Sequence, residues 1–261
     1  MKPNLLNRFR QRVQGIGGLI RRVSGRAASV DQWKLAARAI TAHAWPGRRR
    51  TARFVLVLSQ GRTGSTLILR MLNATPGIHL SGENDRAFDH LKAFAGCFDR
   101  AQSNFHTDFF RLAWQVPCDQ AAILAKLRAF ALDLYNPRGR YKVVGFKEIR
   151  YGRPETDPDL AEDLAFFRGL FPTLRVIFSV RQTEDCAKSL WWAADPKASA
   201  STLERIRDSF QSYYDAHRDH CYWMPYEELK HGSAVLRGMF DFLGVPFTES
   251  AARELDIRMR E

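Results

Sequence analysis

The stretch from Phe54 to Asn73 constrains the fold more than any other part of the chain. Phe54-Val-Leu-Val-Leu58 is apolar and short, with β-branched valines, as a strand buried on both faces must be. Through Ser59 it passes into Gln60-Gly-Arg-Thr-Gly-Ser-Thr66, after which Leu67, Met71 and Leu72, flanked by Leu69, recur at helical spacing. Ser65 or Thr66 is expected to cap the first turn of that helix. Strand, glycine-containing loop and helix N-terminus in succession make an anion site. Gly61 and Gly64 let the backbone turn its N–H groups toward a ligand without a Cβ in the way, and the helix dipole and the Ser65 and Thr66 hydroxyls favour phosphate or sulfate there. Arg62 adds fixed positive charge.

A second apolar run, Leu174-Arg-Val-Ile-Phe-Ser-Val180, ends at Arg181, and Ser189 follows at a distance expected to put it about two turns into the next helix. A guanidinium makes charge-assisted, often paired hydrogen bonds to phosphate, and a hydroxyl adds one donor without bulk. Taken alone, Arg181 reads equally as a solvated charge at a strand end.

The first loop differs from the Gly-x-x-x-x-Gly-Lys-[Ser/Thr] loop of nucleoside triphosphatases, because Ser65 stands where the phosphate-reaching lysine would be. This disfavours a nucleotide kinase. Gln60 to Thr66 instead resembles the 5′-phosphosulfate loop of sulfotransferases that use 3′-phosphoadenosine 5′-phosphosulfate (PAPS). The match is to the Arg-[Ser/Thr]-Gly-[Ser/Thr]-[Ser/Thr] form of the carbohydrate, glycolipid and tyrosylprotein branches; the cytosolic small-molecule branch usually has lysine at the Arg62 position. Arg181 and Ser189 are similar to that family's 3′-phosphate grip, an arginine leaving a strand and a serine eight residues later. The resemblance covers roughly residues 53–247. It implies that Gly61, Arg62, Thr63, Gly64, Ser65, Thr66, Arg181 and Ser189 bind the donor.

Between these motifs, Ile78 to Leu80 reads as a short strand with Glu83 at its end. In the Golgi-type and bacterial sulfotransferases that this chain resembles, a glutamate so placed is the general base on the acceptor hydroxyl; Asp85, Asp89 and His90 are the fallback candidates. Residues 87–117 are rich in aromatics, including Phe88, Phe94, Phe98, Phe105, Phe109, Phe110 and Trp114, and read as an irregular segment of the kind that shapes an acceptor pocket in this family. Ile123, Leu127, Phe130 and Leu134 mark an amphipathic helix ending before Pro137-Arg-Gly139. Tyr141 to Glu148 is a further strand, and its Lys147 is similar to the family lysine that contacts the bridging and sulfuryl oxygens; a solvated strand-end lysine is the plain alternative. A helix over 159–170 leads back to the strand before Arg181. Further helices over 203–217 and around Val235 to Leu243, a strand at Cys221 to Met224, and a Tyr226-Glu-Glu-Leu229 segment complete the pattern. His217 and His220 have no carboxylate or cysteine placed to complete a metal site and read as ordinary surface or core histidines. The C-terminal Arg258 and Arg260 depart from the Gly-x-x-Gly-x-x-Lys signature of cytosolic sulfotransferases.

Charge divides the chain. Its 40 Lys and Arg against 28 Asp and Glu give +12, and +11 of that falls within residues 1–50, where Asp31 is the only acid. There Leu6, Phe9, Val13, Ile16, Ile20 and Val23 alternate at three- and four-residue steps among arginines, a basic amphipathic pattern interrupted by Gly15, Gly17 and Gly18. A second helix is expected over 30–43. Neither a secretory h-region nor a run of about twenty apolar residues is visible, and the four cysteines, Cys97, Cys118, Cys186 and Cys221, form no disulfide or metal pattern. The expected location is cytoplasmic and peripheral at the inner face of the membrane, with residues 1–28 lying on anionic lipid; a solvated tail is the alternative. No nucleic-acid partner is expected, since aromatics are sparse among the basic residues.

The expected fold is α/β, a P-loop-like three-layer domain with a central parallel sheet flanked by helices, over residues 51–261, with residues 1–50 as an appendage. The expected activity is PAPS-dependent transfer of a sulfuryl group to a hydroxyl of a saccharide or glycolipid, releasing 3′-phosphoadenosine 5′-phosphate (PAP), without a metal and with Glu83, Arg62 and Lys147 as catalytic residues. A small-molecule or protein hydroxyl is the alternative acceptor, and a P-loop-type kinase or a non-catalytic adaptor for anionic surfaces the alternative class.

Overall fold

The computed structural model describes residues 52–103, 120–136, 139–152 and 159–258. The expectations for residues 1–50, for Phe105, Phe109, Phe110 and Trp114, and for the side chains of Arg258 and Arg260 lie outside the described residues.

Five parallel strands form one sheet in the order β2-β3-β1-β4-β5, where β1 is Arg53–Ser59, β2 Ile78–Ser81, β3 Val143–Glu148, β4 Arg175–Val180 and β5 Cys221–Pro225. The apolar run that opens with Phe54 is the central strand, paired on one side with β3 and on the other with β4. Its side chains alternate between two cores. Phe54, Leu56 and Leu58 point into a layer built by four helices: α2 (Ala87–Ser103), α3 (Gln120–Tyr135), α4 (Leu160–Leu170) and α6 (Pro196–Ala216). Phe54 there stacks on Phe171 with ring centroids 3.9 Å apart. Val55 and Val57 point the other way, into α1 (Ser65–Asn73), α7 (Ala234–Leu243) and α8 (Glu249–Arg258). The result is the expected three-layer α/β architecture.

Close approach at the centre of the sheet requires glycine: a Cβ on Gly145 of β3 would lie 1.8 Å from the Val55 carbonyl oxygen of β1. Helix ends follow local chemistry. Asp159 accepts a hydrogen bond from the Glu162 N–H to open α4, Asp195 caps α6 ahead of Pro196, and Ser233 caps α7, which stops at Gly244 with φ 62°. Among the described residues no helix is long and apolar enough to cross a membrane.

Three local expectations are corrected. Residues 87–103 form a helix rather than irregular chain, because Phe88, Leu91 and Ala95 fall on one face and pack against the Phe54 core; the density of aromatics masked that spacing. The N-cap of α1 is Gly64, at φ 74°, with no side-chain cap, so Ser65 and Thr66 are the first residues of the helix itself. Ser189 does not lie in a helix: α5 is only Thr183–Ala187, and Ser189 is extended, its N–H bonded to the Cys186 carbonyl, before a 3₁₀ turn over Leu190–Ala194.

The order of the strands locates a cleft. From β1 the chain moves outward to β2, returns to β3, and then crosses beyond β1 to β4 and β5. In open parallel sheets, ligands bind outside the carboxyl ends of the strands where the winding reverses. At that edge emerge the loop after β1, the Glu83 turn after β2, Lys147 in β3 and Arg181 after β4.

Candidate active site

The loop after β1 is braced from below by three hydroxyls. Ser59 Oγ accepts the Gly61 N–H at 2.9 Å and lies 2.7 Å from Thr63 Oγ1, which lies 2.8 Å from Ser179 Oγ of β4; Ser179 in turn donates to the Thr63 carbonyl at 3.1 Å. One proton assignment satisfies the set: Ser59 donates to Thr63, Thr63 to Ser179, and Ser179 to the Thr63 carbonyl. The Thr63 hydroxyl is therefore turned into the protein, and what this residue offers a ligand is its backbone. Gln60 is also part of the brace, donating from Nε2 to the Leu203 carbonyl at 2.7 Å. The Cys186 thiol faces the Gly61 and Arg62 carbonyls at 3.8 and 3.9 Å, and burial pushes its pKa up to about 11, so it remains a neutral donor.

Above this brace the backbone takes positive φ at Gly61 (82°), Arg62 (61°) and Gly64 (74°). Successive left-handed residues turn N–H groups toward one side, which is how an anion nest forms. Within the described chain no acceptor meets the N–H groups of Arg62, Thr63, Gly64, Ser65 or Thr66, whereas the Gly64 carbonyl is taken by the Leu67 and Ile68 N–H groups. The concave side is thus a row of donors at a helix N-terminus. Trp191, half exposed, packs against the glycine: a Cβ on Gly61 would lie 3.0 Å from its ring.

Arg62 and Ser189 meet across 127 residues, with Arg62 Nε donating to Ser189 Oγ at 3.0 Å. Arg181 is not bonded to Ser189 here. Its guanidinium lies 4.2 Å over the Tyr226 ring and 3.8 Å from Asp185, and its Nε is buried with no partner among the described residues. A buried guanidinium nitrogen without an acceptor is costly, so an arriving anion would satisfy it.

On the other side of β1, Lys147 is 8% exposed, and its Nζ donates to Glu83 Oε1 at 2.5 Å. Glu83 itself stays accessible, its side chain 34% exposed. The fallback carboxylates are engaged elsewhere: Asp85 pairs with Arg150, while Asp89 accepts from Arg86 Nε at 2.5 Å and the Tyr151 hydroxyl at 3.2 Å. His90 stands exposed on α2.

Glu148, next to Lys147, escaped sequence reading. It is fully buried, accepting the Ile149 N–H at 2.9 Å and the Asn84 N–H at 3.3 Å. Burial raises its pKa, and the negative charge of Glu83 adds to the rise, while the backbone donors oppose it. A carboxylate inside an otherwise apolar strand was the available signal. Ser59, Gln60 and Ser179 were missed for a different reason: polar residues at strand ends resemble loop composition.

Taken together, the edge of the sheet offers a backbone nest with a guanidinium, a second arginine with an unspent donor, an ammonium and an accessible carboxylate. Such a set can hold a polyanion at two places and accept a proton beside the first of them. Among solved structures, the chain resembles the sulfotransferase domain of the Synechococcus PCC 7002 olefin synthase, with 22% identity over 80% of this chain and 79% of that one and a TM-score of 0.53. It also resembles the sulfotransferase STF9 of Mycobacterium avium, with 14% identity over 97% and 76% and a TM-score of 0.48. No curated protein sequence matches the chain. The profile of the sulfotransferase family matches residues 55–249, from the central strand to the last helix, and the chain therefore belongs to the sulfotransferase family.

Proposed function

We propose that this sulfotransferase uses PAPS as donor and a saccharide or glycolipid hydroxyl as acceptor, with Glu83 as general base. What carries the reading is the meeting of the Arg62 loop, Arg181, Lys147 and Glu83 at one end of the sheet. The donor has anionic groups at two places, a 5′-phosphosulfate and a 3′-phosphate. The loop N–H groups with Arg62 suit the first, and Arg181, whose buried Nε has no acceptor among the described residues, suits the second together with Ser189, whose hydroxyl accepts from Arg62 in this structure. As the acceptor oxygen attacks sulfur, an S–O bond forms and the bond from sulfur to the bridging phosphate oxygen breaks. The hydroxyl proton passes to the Glu83 carboxylate, and PAP leaves. Lys147, Arg62 and the loop donors stabilise charge on the sulfuryl oxygens and the leaving phosphate. These cationic groups supply the neutralisation that kinases obtain from Mg²⁺, so the proposed reaction needs no metal.

The saccharide or glycolipid class is favoured by the arginine form of the loop, by the position of Glu83 after β2, and by the basic amphipathic residues 1–28, which suit a cytoplasmic enzyme working at an anionic membrane face. The test is calorimetric binding of PAP against ADP and AMP, followed by a screen of cell-extract glycans and lipids with radiolabelled PAPS. Tight binding confined to PAP and label in a glycan or lipid are expected; equal binding of all three nucleotides would overturn the donor assignment.

A further inference from the structure

We infer that Glu148 is a positioning residue for Glu83: its buried carboxylate is the peg around which the turn carrying the proposed base is wound. The inference rests on the assignment of Glu83 as base.

The sheet itself does not hold that turn. The pairing of β2 with β3 ends at Ser81 opposite Phe146, so Gly82 onward is free of the ladder. Farther along, Asp85 and Arg86 both take left-handed backbone, with φ 59° and 55°. Two successive non-glycine residues in that region persist only where the surroundings determine them. Glu148 holds the chain just ahead of them: Oε2 accepts the Asn84 N–H at 3.3 Å, and Oε1 accepts the Ile149 N–H at 2.9 Å, which ties the side chain to its own strand end. Asn84 is held a second time, by donation from its Nδ2 to the Tyr135 hydroxyl at 2.9 Å.

Neighbouring residues of a strand point to opposite sides, and here the alternation gives them separate tasks. Lys147 meets the Glu83 carboxylate, and Glu148 takes the backbone immediately after it. When Lys147 turns to the sulfuryl oxygens, the ion pair no longer locates Glu83. The Glu148 peg remains. A buried carboxylate serving stability alone could sit anywhere in the core; this one bonds the backbone of the residue beside the proposed base.

The test is Glu148→Gln, which keeps the shape but has one acceptor oxygen, so it cannot serve the Ile149 N–H and the turn together. Turnover is followed as release of labelled sulfate from radiolabelled PAPS, with water in the acceptor's place, and PAP affinity by calorimetry. Turnover should fall roughly 10–100-fold, the scale of a reacting group misplaced by about an ångström. PAP affinity should stay within about twofold, because the nest and Arg181 stand on β1 and β4. Since the two residues act as a unit, Glu83→Gln with Glu148→Gln should be no slower than Glu83→Gln alone. Wild-type turnover in Glu148→Gln, a parallel loss of PAP affinity, or losses that multiply in the double variant would each overturn the inference. Wild-type turnover in Glu83→Gln would instead remove the base assignment on which it rests. Should Glu148→Gln fail to fold, Glu148→Asp, which keeps the charge but draws the carboxylate back from the Asn84 N–H, decides the matter: slower turnover at unchanged PAP affinity supports the peg, and unchanged turnover overturns it.

Discussion

Lys147 Nζ and Glu83 Oε1 stand 2.5 Å apart, an ammonium from β3 and a carboxylate from the turn after β2. Each group in this pair occupies the other. In the proposed reaction they must part, because the lysine is needed on the sulfuryl oxygens and the glutamate on the acceptor proton. Donor binding supplies the reason, since a sulfuryl group beside the nest gives Lys147 a second anion to bond.

Two substitutions divide these roles. Glu83→Gln keeps shape without accepting the proton, so turnover should fall by roughly 10²–10⁴ while PAP affinity stays near wild type. Lys147→Ala should lower turnover by roughly 10²–10³, as removal of one donor to developing charge does. Normal turnover of Glu83→Gln beside a dead Asp85→Asn or His90→Ala would move the base to one of those residues.

Arg181 should discriminate between nucleotides. Arg181→Ala is expected to weaken PAP binding by about 2–4 kcal/mol, the cost of breaking a desolvated charged contact, and to leave ADP and AMP nearly unchanged. Calorimetry with the three ligands measures this directly. Equal losses for all of them would place the arginine somewhere other than on a 3′-phosphate.

How far the site was legible in the chain depended on whether a residue's role was local. The strand before Gly61, the strand before Arg181 and the approach to Lys147 all show as apolar runs that stop at a polar residue, and each emerges at the same edge of the sheet. Ser189 was displaced from its expected helix because α5 stops after five residues, a stop set by the turn from Cys186 to Ser189 and not by any breaker in sequence. The contacts of Ser59 with Thr63 and of Glu148 with Asn84 could not be read at all. They join positions that pattern alone does not pair, and in a strand end or a turn a polar side chain gives no sign of which neighbour it will find.

Gly61 offers a test of the nest that leaves every charged group in place. Its φ of 82° and the Trp191 ring 3.0 Å from a notional Cβ both oppose a side chain. Gly61→Ala should destabilise the protein by about 1–2 kcal/mol, the cost of a left-handed alanine, and should weaken PAP binding as the N–H row is disturbed. Combining it with Trp191→Ala removes the clash but not the backbone cost, so stability should recover only in part. Full recovery would mean that the ring contact, and not the left-handed backbone, is what demands glycine.

The basic segment should serve location rather than chemistry. Of the formal charge of +12, +11 lies before residue 51, whereas the nest, Lys147 and Arg181 all lie after it. Attraction to anionic lipid sums over such a segment, at about 1 kcal/mol for each basic residue near the surface, and is screened by salt. Deleting residues 1–28 should therefore abolish salt-sensitive binding to vesicles containing phosphatidylglycerol, as judged by cosedimentation, and leave PAP affinity unchanged. Turnover on a small soluble acceptor should survive the deletion, while turnover on a glycolipid in a bilayer should drop. Loss of PAP binding in the truncated protein would show the segment to be part of the catalytic core. If the full-length protein ignores anionic vesicles even at low salt, the membrane role falls and the arginines form a solvated tail.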